Sequence, residues 1–213
     1  MVGRLLEGNR QLVQQNQMNF RIMTQNIKPE IMHLMVLSRC DHNCELCCNK
    51  LYNIEEIPVA TVQELKTIHT LCITGGEPFL VEYLSKFAKG IKKQYPNIKH
   101  LYVYTSGGAI LSSSYSSLIE VGSVFDGINF APKTKNDWVA LKIMAALNLL
   151  LKHKISSIPQ NRLYVFKDQK EVFENMYNEL PKKLNLNVIY RTWDKEFKTP
   201  DNEIFRRLPV FLG

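Results

Sequence analysis

The sequence predicts an α/β protein in which parallel strands alternate with helices. Short apolar runs recur along the chain, and most are followed by a longer segment with helical periodicity. Such alternation implies parallel pairing through right-handed crossovers. In addition, the first three runs each end in a polar, cysteine-rich or glycine-rich segment, which is typical of a site at the carboxyl edge of a parallel sheet.

Six strands are predicted from these apolar runs. A strand–helix–strand unit takes about 30 residues or more, so six units account for the chain from Ile31 onward and eight do not fit. The predicted strands are Ile31–Ser38, Thr70–Thr74, His100–Thr105, Gly127–Ala131, Arg162–Phe166 and Asn187–Tyr190.

The intervening segments predict helices. Thr61 and Glu64 have the spacing of a capping box, so a helix is expected to begin at Thr61. Pro96 ends the helix that follows the second strand. The other helices are predicted over residues 80–95, 115–121, 135–152 and 170–180.

The chain of 213 residues is long enough for one domain with a short extension. Residues 1–29 are rich in Gln and Asn and have few apolar anchors, and they are predicted to form an N-terminal extension. Residues 30–213 are predicted to form the core domain, with Pro29 at the boundary.

Composition narrows the class of protein. No segment is apolar enough to span a membrane, and no signal peptide is recognisable, so a cytoplasmic location is expected. The five cysteines are an odd number, which argues against a disulfide framework. The net charge of +7 comes from Lys and Arg spread mostly near helix ends, so a nucleic-acid partner is not expected.

Three cysteines, Cys40, Cys44 and Cys47, lie on the loop after the first strand. Thiolates are soft ligands, so zinc and an iron–sulfur cluster are the candidates. Structural zinc and electron-transfer clusters both take four protein ligands, whereas three thiolates on a four-iron cluster leave one iron open to substrate. Cys48 adjoins Cys47 and is interpreted as a free thiol, and Cys72 lies inside the second strand and is interpreted as a core residue.

Two further motifs follow the next two strands. Gly75, Gly76, Glu77 and Pro78 come directly after the second strand, and Thr105 to Gly108 come at the end of the third. Because the carboxyl ends of parallel strands share one edge, these segments and the cysteine loop are expected to form one site.

The spacing C-x3-C-x2-C, with the Gly-Gly-Glu-Pro segment, resembles the signature of radical S-adenosyl-L-methionine (SAM) enzymes. The resemblance covers roughly residues 31–133. It implies a partial (β/α)6 barrel in which Cys40, Cys44 and Cys47 hold a [4Fe-4S] cluster. It also implies reductive cleavage of SAM to a 5′-deoxyadenosyl radical, which abstracts hydrogen from a substrate.

The resemblance also implies cofactor-binding residues. Gly75 and Gly76 lack Cβ atoms and would allow close approach of the methionine part of SAM. Glu77 would accept a charge-assisted hydrogen bond from its amino group, and Pro78 would fix the turn.

Five other positions are implied by the same resemblance. Thr105 and Ser106 would contact polar groups of SAM, with an ordinary Ser/Thr turn as the alternative. Asn129 and Lys133 would contact its ribose or carboxylate. Leu46 stands where many members carry an aromatic residue and would pack on the adenine. His42 is expected to be a solvated loop residue, and the catalytic acid–base groups are not identified.

The substrate stays open between a small molecule and an acidic protein, with an electron donor such as flavodoxin or ferredoxin. Residues 105–107 and 131–133 are similar to strand endings of 7-carboxy-7-deazaguanine synthase, a lyase. However, Cys48-Asn49 stands where that group usually has Asp-Thr, whose Thr helps to bind magnesium. A glycyl-radical activating enzyme is the second alternative. A non-catalytic metal-binding module is the third.

Overall fold

The computed structural model describes residues 29–44, 47–50, 53–112, 115–150, 155–192 and 199–212. Leu46 and most of the predicted N-terminal extension lie outside these residues. The domain boundary predicted between residues 29 and 30 therefore stays a prediction.

The described residues form an open parallel sheet with helices, so the predicted α/β class is confirmed. The sheet has seven strands in the order β6-β5-β4-β3-β2-β1-β7. All six neighbouring pairs are parallel. The strands are β1 Ile31–Met35, β2 Thr70–Thr74, β3 His100–Thr105, β4 Gly127–Phe130, β5 Arg162–Phe166, β6 Asn187–Arg191 and β7 Glu203–Arg207.

The seventh strand corrects the prediction of six. β7 pairs with β1, with Ile31 opposite Glu203 and Met35 opposite Arg207. It was missed because its partner β1 is distant in the chain, and local alternation of strands and helices does not indicate such a pairing. β7 lies at the opposite end of the sheet from β6, so the two strands are its edges and the barrel is not closed.

The helices are α1 Val62–Leu65, α2 Leu84–Gln94, α3 Gly108–Ser112, α4 Tyr115–Val124, α5 Lys135–Leu150, α6 Lys170–Val172 and α7 Leu180–Leu184. The helix predicted from Leu80 begins instead at Leu84, because Pro78–Leu80 form a 3-10 turn that Glu77 caps. The segment predicted as one helix over residues 170–180 contains a π turn at Phe173–Tyr177. None of the described helices is both long and apolar enough to cross a membrane.

The two faces of the sheet differ in polarity, because alternate side chains of a strand point to opposite sides. One face is apolar and contributes to the hydrophobic core, for example Leu71 and Ile73 of β2 and Val103 of β3. The other face carries polar and aromatic side chains, including Tyr104 and Tyr164. The second face is therefore the one that can form a binding site.

Cys72 is buried in β2, as predicted for a core residue. Burial raises the pKa of its thiol to about 12, so the thiol is protonated at neutral pH. Its register partners are His33 of β1 and Tyr102 of β3.

Glu64 connects α1 to the new edge strand. One carboxylate oxygen accepts hydrogen bonds from the backbone N–H and the hydroxyl of Thr61 at 2.9 and 3.0 Å, which confirms the predicted capping box. The other accepts bonds from Nε and Nη2 of Arg206 at 2.8 and 2.6 Å. Burial opposes the charged form, but these hydrogen bonds and the charge of Arg206 lower the pKa of Glu64 overall.

Replacing Glu64 by Gln should destabilise the protein in a pH-dependent way. Gln can also serve in a capping box, so the substitution removes the negative charge while keeping the cap. Because the folded-state pKa of Glu64 is lowered, its contribution is present above the unfolded value of 4.5 and is lost as the pH falls through the folded-state value. In urea titrations we expect a loss of about 1–2 kcal/mol in the free energy of unfolding at pH 7, and a progressively smaller loss as the pH falls below 4.5.

The control is Glu120→Gln. The Lys89–Glu120 pair spans 3.7 Å, and its side chains are 52% and 50% exposed, so its loss should change stability little at either pH. Equal effects of the two substitutions at pH 7 would show that the Arg206 pair does not stabilise the β7 edge.

Candidate functional site

A pocket of about 230 Å³ lies at the carboxyl edge of the sheet. Its walls come from the segments that follow β1, β2 and β3 and from the ends of β4, β5 and β6. The lining residues are Cys40, His42, Cys44, Cys47, Asn49, Thr74, Gly75, Gly76, Glu77, Tyr104, Thr105, Ser106, Ala131, Lys133, Tyr164, Phe166 and Arg191. The three motifs therefore meet at one site, as their positions after successive strands predicted.

The three cysteines of the loop are free thiols that face this pocket. Cys40 is the most exposed of the three, though not fully so, and Cys44 and Cys47 are half-buried. Partial burial raises the pKa of Cys40 to about 11 and raises that of Cys44 as well. A bound cation would reverse this preference for the thiol form, because a metal holds its ligands as thiolates.

The thiols are not arranged around a single ion. A zinc ion at about 2.3 Å from each sulfur would bring three sulfurs to within about 3.8 Å of one another. Within the described part of the chain, the one group whose ligand atoms all lie within 4.8 Å is Cys40, Asp41 and His42. The three thiols therefore include at least one pair farther apart than 4.8 Å, which suits a cluster with several metal ions better than one zinc.

The Gly-Gly-Glu segment packs against the backbone that leads into the cysteine loop. Gly76 N donates to Leu37 O at 2.9 Å, and Glu77 N donates to Arg39 O at 3.0 Å. A Cβ on Gly76 would lie 1.8 Å from Arg39 O, and one on Gly75, whose φ is +143°, would lie 2.3 Å from Leu37 O. The glycines are thus required by the approach of two backbone segments, a reason that the sequence did not reveal.

Glu77 is 1% exposed and joins the ends of β2 and β3. Its Oε1 accepts from the N–H of Phe79 at 3.1 Å. Its Oε2 accepts from the hydroxyl of Thr105 at 3.0 Å and from the N–H and hydroxyl of Ser106 at 2.9 and 3.2 Å. Burial raises the pKa of Glu77, and the donors from Ser106, Phe79 and Thr105 oppose that rise.

Thr105 and Ser106 therefore contact Glu77 while also lining the pocket. The Thr105 hydroxyl accepts from Gly107 N at 3.0 Å as well, so it is part of the turn after β3. Pro78 is buried at the start of the 3-10 turn that follows Glu77, and its role in fixing that turn stays a prediction.

His42 is not a solvated loop residue, so that expectation was wrong. Its imidazole lies between two carboxylates, 2.7 Å from Asp41 Oδ1 and 2.8 Å from Asp137 Oδ1. Two acceptors require both ring nitrogens to donate, which is the charged form. Burial disfavours that form, but Asp41 and Asp137 raise the pKa of His42 above its ordinary value.

Asp137 is fully buried and anchors the cysteine loop to the start of α5. Its Oδ2 accepts from the N–H of Lys133 at 2.9 Å and from the N–H and hydroxyl of Thr134 at 2.8 and 3.0 Å. Its Oδ1 accepts from His42. No sequence motif indicates this contact, because 95 residues separate the two partners.

The two positions proposed from β4 differ. Lys133 lines the pocket, with Nζ 3.3 Å from the centroid of the Phe166 ring. Asn129 is fully buried below the pocket, in register with Tyr104 and Arg162, and neither side-chain polar atom has a hydrogen-bond partner among the described residues. Their roles toward a cofactor stay predictions, and that of Leu46 lies outside the described residues.

The part of the pocket at β5 and β6 was not predicted. Tyr104 and Tyr164 stack with centroids 6.0 Å apart, and the Arg191 guanidinium lies 4.5 Å from the centroid of the Tyr164 ring. Burial raises the pKa of Tyr104, which is a neutral phenol at physiological pH. The alternation of β5 and β6 could have placed these side chains on the same face as Tyr104, but no motif drew attention to them.

No protein-family model matches the sequence, and no curated protein matches it. Solved structures do match the fold. The chain shares its fold with SuiB of Streptococcus suis. The structure of SuiB bound to S-adenosylmethionine matches with a TM-score of 0.50 at 11% identity, over 93% of this chain and 52% of SuiB.

A second SuiB structure, bound to the precursor peptide SuiA, matches with a TM-score of 0.51 at 11% identity. That match covers 85% of this chain and 44% of SuiB. The chain thus spans about half the length of SuiB or less. At this identity the likeness establishes the open parallel α/β fold that both proteins share.

Replacing Gly76 by Ala should displace the cysteine loop. The new methyl group would meet Arg39 O at 1.8 Å, and backbone cannot move aside as a flexible side chain can. We expect a destabilisation of at least about 1–3 kcal/mol by chemical denaturation. Gly90→Ala in α2 is the control: nothing lies within 4 Å of its Cβ, so it should stabilise the protein by about 1 kcal/mol. Equal stability of the Gly76 variant and the native protein would contradict the close approach.

Replacing Asp137 by Asn should destabilise the fold by about 2–4 kcal/mol. The amide nitrogen cannot accept, so at least one buried hydrogen bond is lost and the His42 charge loses its buried partner. Asp41→Asn removes the other carboxylate at the same imidazole, but that side chain is 32% exposed, so a loss below about 1 kcal/mol is expected. Urea titration measures both, and the opposite order would refute the anchoring role of Asp137.

Proposed function

We propose that the protein is a radical SAM enzyme in which Cys40, Cys44 and Cys47 hold a [4Fe-4S] cluster. The observation that carries the proposal is the meeting of three free thiols with the Gly75–Glu77 turn and the Thr105–Ser106 turn at one pocket. When bound, the cluster would supply the electron that cleaves SAM to a 5′-deoxyadenosyl radical, which abstracts hydrogen from a substrate.

The residues present fit such a group. Three thiols leave one metal position without a protein ligand, which is where SAM would bind in this class of enzyme. Their separation suits several metal ions rather than one zinc. The mixed group of Cys40, Asp41 and His42 fits a single ion less well, because both nitrogens of His42 already bond to carboxylates.

The chain's own residues would position SAM around the cluster. Gly75 and Gly76 bring backbone to the pocket wall beside the cysteines. Glu77 is held rigidly by four donors, and Oε1 receives only one of them, so this oxygen has capacity for the amino group of SAM. Lys133 would face the carboxylate or the ribose of SAM.

The fold supports the proposal indirectly. SuiB has the same open parallel sheet, and one of its structures contains S-adenosylmethionine. Another contains a precursor peptide, so a peptide substrate joins the small molecule as a candidate. A lyase similar to 7-carboxy-7-deazaguanine synthase and a glycyl-radical activating enzyme are the finer alternatives. An electron donor such as flavodoxin or ferredoxin is expected.

The test is anaerobic reconstitution with iron and sulfide, followed by dithionite and SAM. We expect absorbance near 400 nm, about four irons per chain, and formation of 5′-deoxyadenosine and methionine detected by mass spectrometry. Each of Cys40→Ser, Cys44→Ser and Cys47→Ser should abolish both the cluster and the products.

Cys72→Ser is the matched control, because Cys72 is buried in β2 and does not line the pocket. It should keep the iron content and the products. One zinc per chain without absorbance near 400 nm would instead identify a non-catalytic metal-binding module. A full cluster whose electron paramagnetic resonance spectrum does not change on adding SAM would also overturn the proposal.

A further inference from the structure

We propose that Arg191 binds a carboxylate of the substrate at the β6 end of the pocket. This inference rests on the proposed function, since it assigns the part of the pocket that the cluster and SAM would leave free. It identifies the substrate class as a carboxylate-bearing molecule. The carboxylate belongs either to a small ring compound or to a peptide.

The position of Arg191 separates it from the cysteine loop. Arg191 is the last residue of β6, and four strands lie between β6 and β1, after which the cysteines follow. Its register partner is Phe166, the last residue of β5. A substrate held at Arg191 could therefore extend across the pocket toward the cysteines.

An aromatic ring packs against the Arg191 guanidinium, and no acceptor among the described residues takes a hydrogen bond from it. The guanidinium lies 4.5 Å from the centroid of the Tyr164 ring, which stacks on Tyr104 at an interplanar angle of 18°. A ring face attracts a cation through its quadrupole but accepts no conventional hydrogen bond from the N–H edge. The N–H edge of a guanidinium can donate two parallel hydrogen bonds to one carboxylate.

The charge around Arg191 also favours an anion. Among the described residues, Arg191 has no carboxylate within ion-pair distance. Glu77 is the one acidic residue among the described pocket-lining residues, and its carboxylate already accepts four hydrogen bonds.

These features select against cationic ligands and favour anionic ones. The Arg191 guanidinium over the Tyr164 ring places a positive charge at the β6 end of the pocket, where it attracts an anion. A carboxylate would accept two hydrogen bonds from the N–H edge of Arg191, which has no ion-pair partner among the described residues, whereas a neutral amide offers only one acceptor in its place. Discrimination between an acid and its amide is therefore the expected property of this site.

The experiment compares binding of benzoate and benzamide, which share one ring and differ in charge. The cluster-loaded protein with SAM is titrated anaerobically, and binding is followed by saturation-transfer difference NMR. A second arm uses capped Phe-Asp and Phe-Asn dipeptides. We expect the acid to bind at least about tenfold more tightly than its neutral counterpart in one arm, and the arm that shows it identifies the source of the carboxylate.

Three variants assign the effect to Arg191. Arg191→Gln should reduce the ratio of acid affinity to amide affinity to about one. Arg191→Lys should give an intermediate ratio, because Lys keeps the positive charge but lacks the two parallel N–H donors of the guanidinium. Lys170→Gln is the matched control. It also removes a cation over a β6 ring, since Lys170 Nζ lies 5.6 Å from the Tyr190 centroid, but neither residue lines the pocket. It should leave the ratio unchanged.

The outcomes separate this inference from the proposed function. A ratio near one in the native protein in both arms, or a ratio that persists in Arg191→Gln, would refute the Arg191 site while SAM binding stands. Weaker SAM binding in Arg191→Gln would also refute it, by placing Arg191 with the cofactor. If the native protein binds no SAM, the proposed function fails, and selectivity for the acid in the metal-free protein still tests the carboxylate site.

Discussion

The contact on which the site depends is the packing of the Gly75–Glu77 turn against the backbone of residues 37–39. Two backbone hydrogen bonds join the segments, from Gly76 to Leu37 and from Glu77 to Arg39. The approach is so close that a Cβ at either glycine would overlap a carbonyl oxygen. The carboxyl end of β2 thereby fixes the path of the chain into Cys40, and the cysteine loop leaves the sheet in a defined direction.

Two buried carboxylates extend this arrangement to the neighbouring strands. Glu77 accepts hydrogen bonds from Phe79, Thr105 and Ser106, and these bonds join the end of β2 to the end of β3. Asp137 accepts hydrogen bonds from Lys133, Thr134 and His42. The bond from His42 joins the cysteine loop to the start of α5. A carboxylate that accepts several hydrogen bonds is both oriented and compensated for burial. Both walls of the pocket near the thiols are therefore preorganised.

The pocket divides into two parts with different chemistry. The part next to β1, β2 and β3 contains soft thiol ligands, glycines and hydroxyls, which suit a metal cluster and a polar cofactor. The part next to β5 and β6 contains stacked tyrosines and cations held over aromatic rings. Because the sheet is open, the two parts lie side by side in one pocket. A ligand bound in one part could therefore contact a ligand bound in the other.

The α/β class, close bounds for five of the strands, and the meeting of three motifs at one edge could be predicted from the chain alone. This is possible because strand periodicity and the carboxyl-edge rule are local or topological, and because short spacings such as that of Cys40, Cys44 and Cys47 are visible in the chain. The tertiary structure alone decided that β7 pairs with β1, that His42 bonds to Asp137, and that Arg191 reaches the pocket. Those contacts join residues that are distant in the chain, and they depend on sheet curvature, register and side-chain direction, which a single sequence does not encode locally.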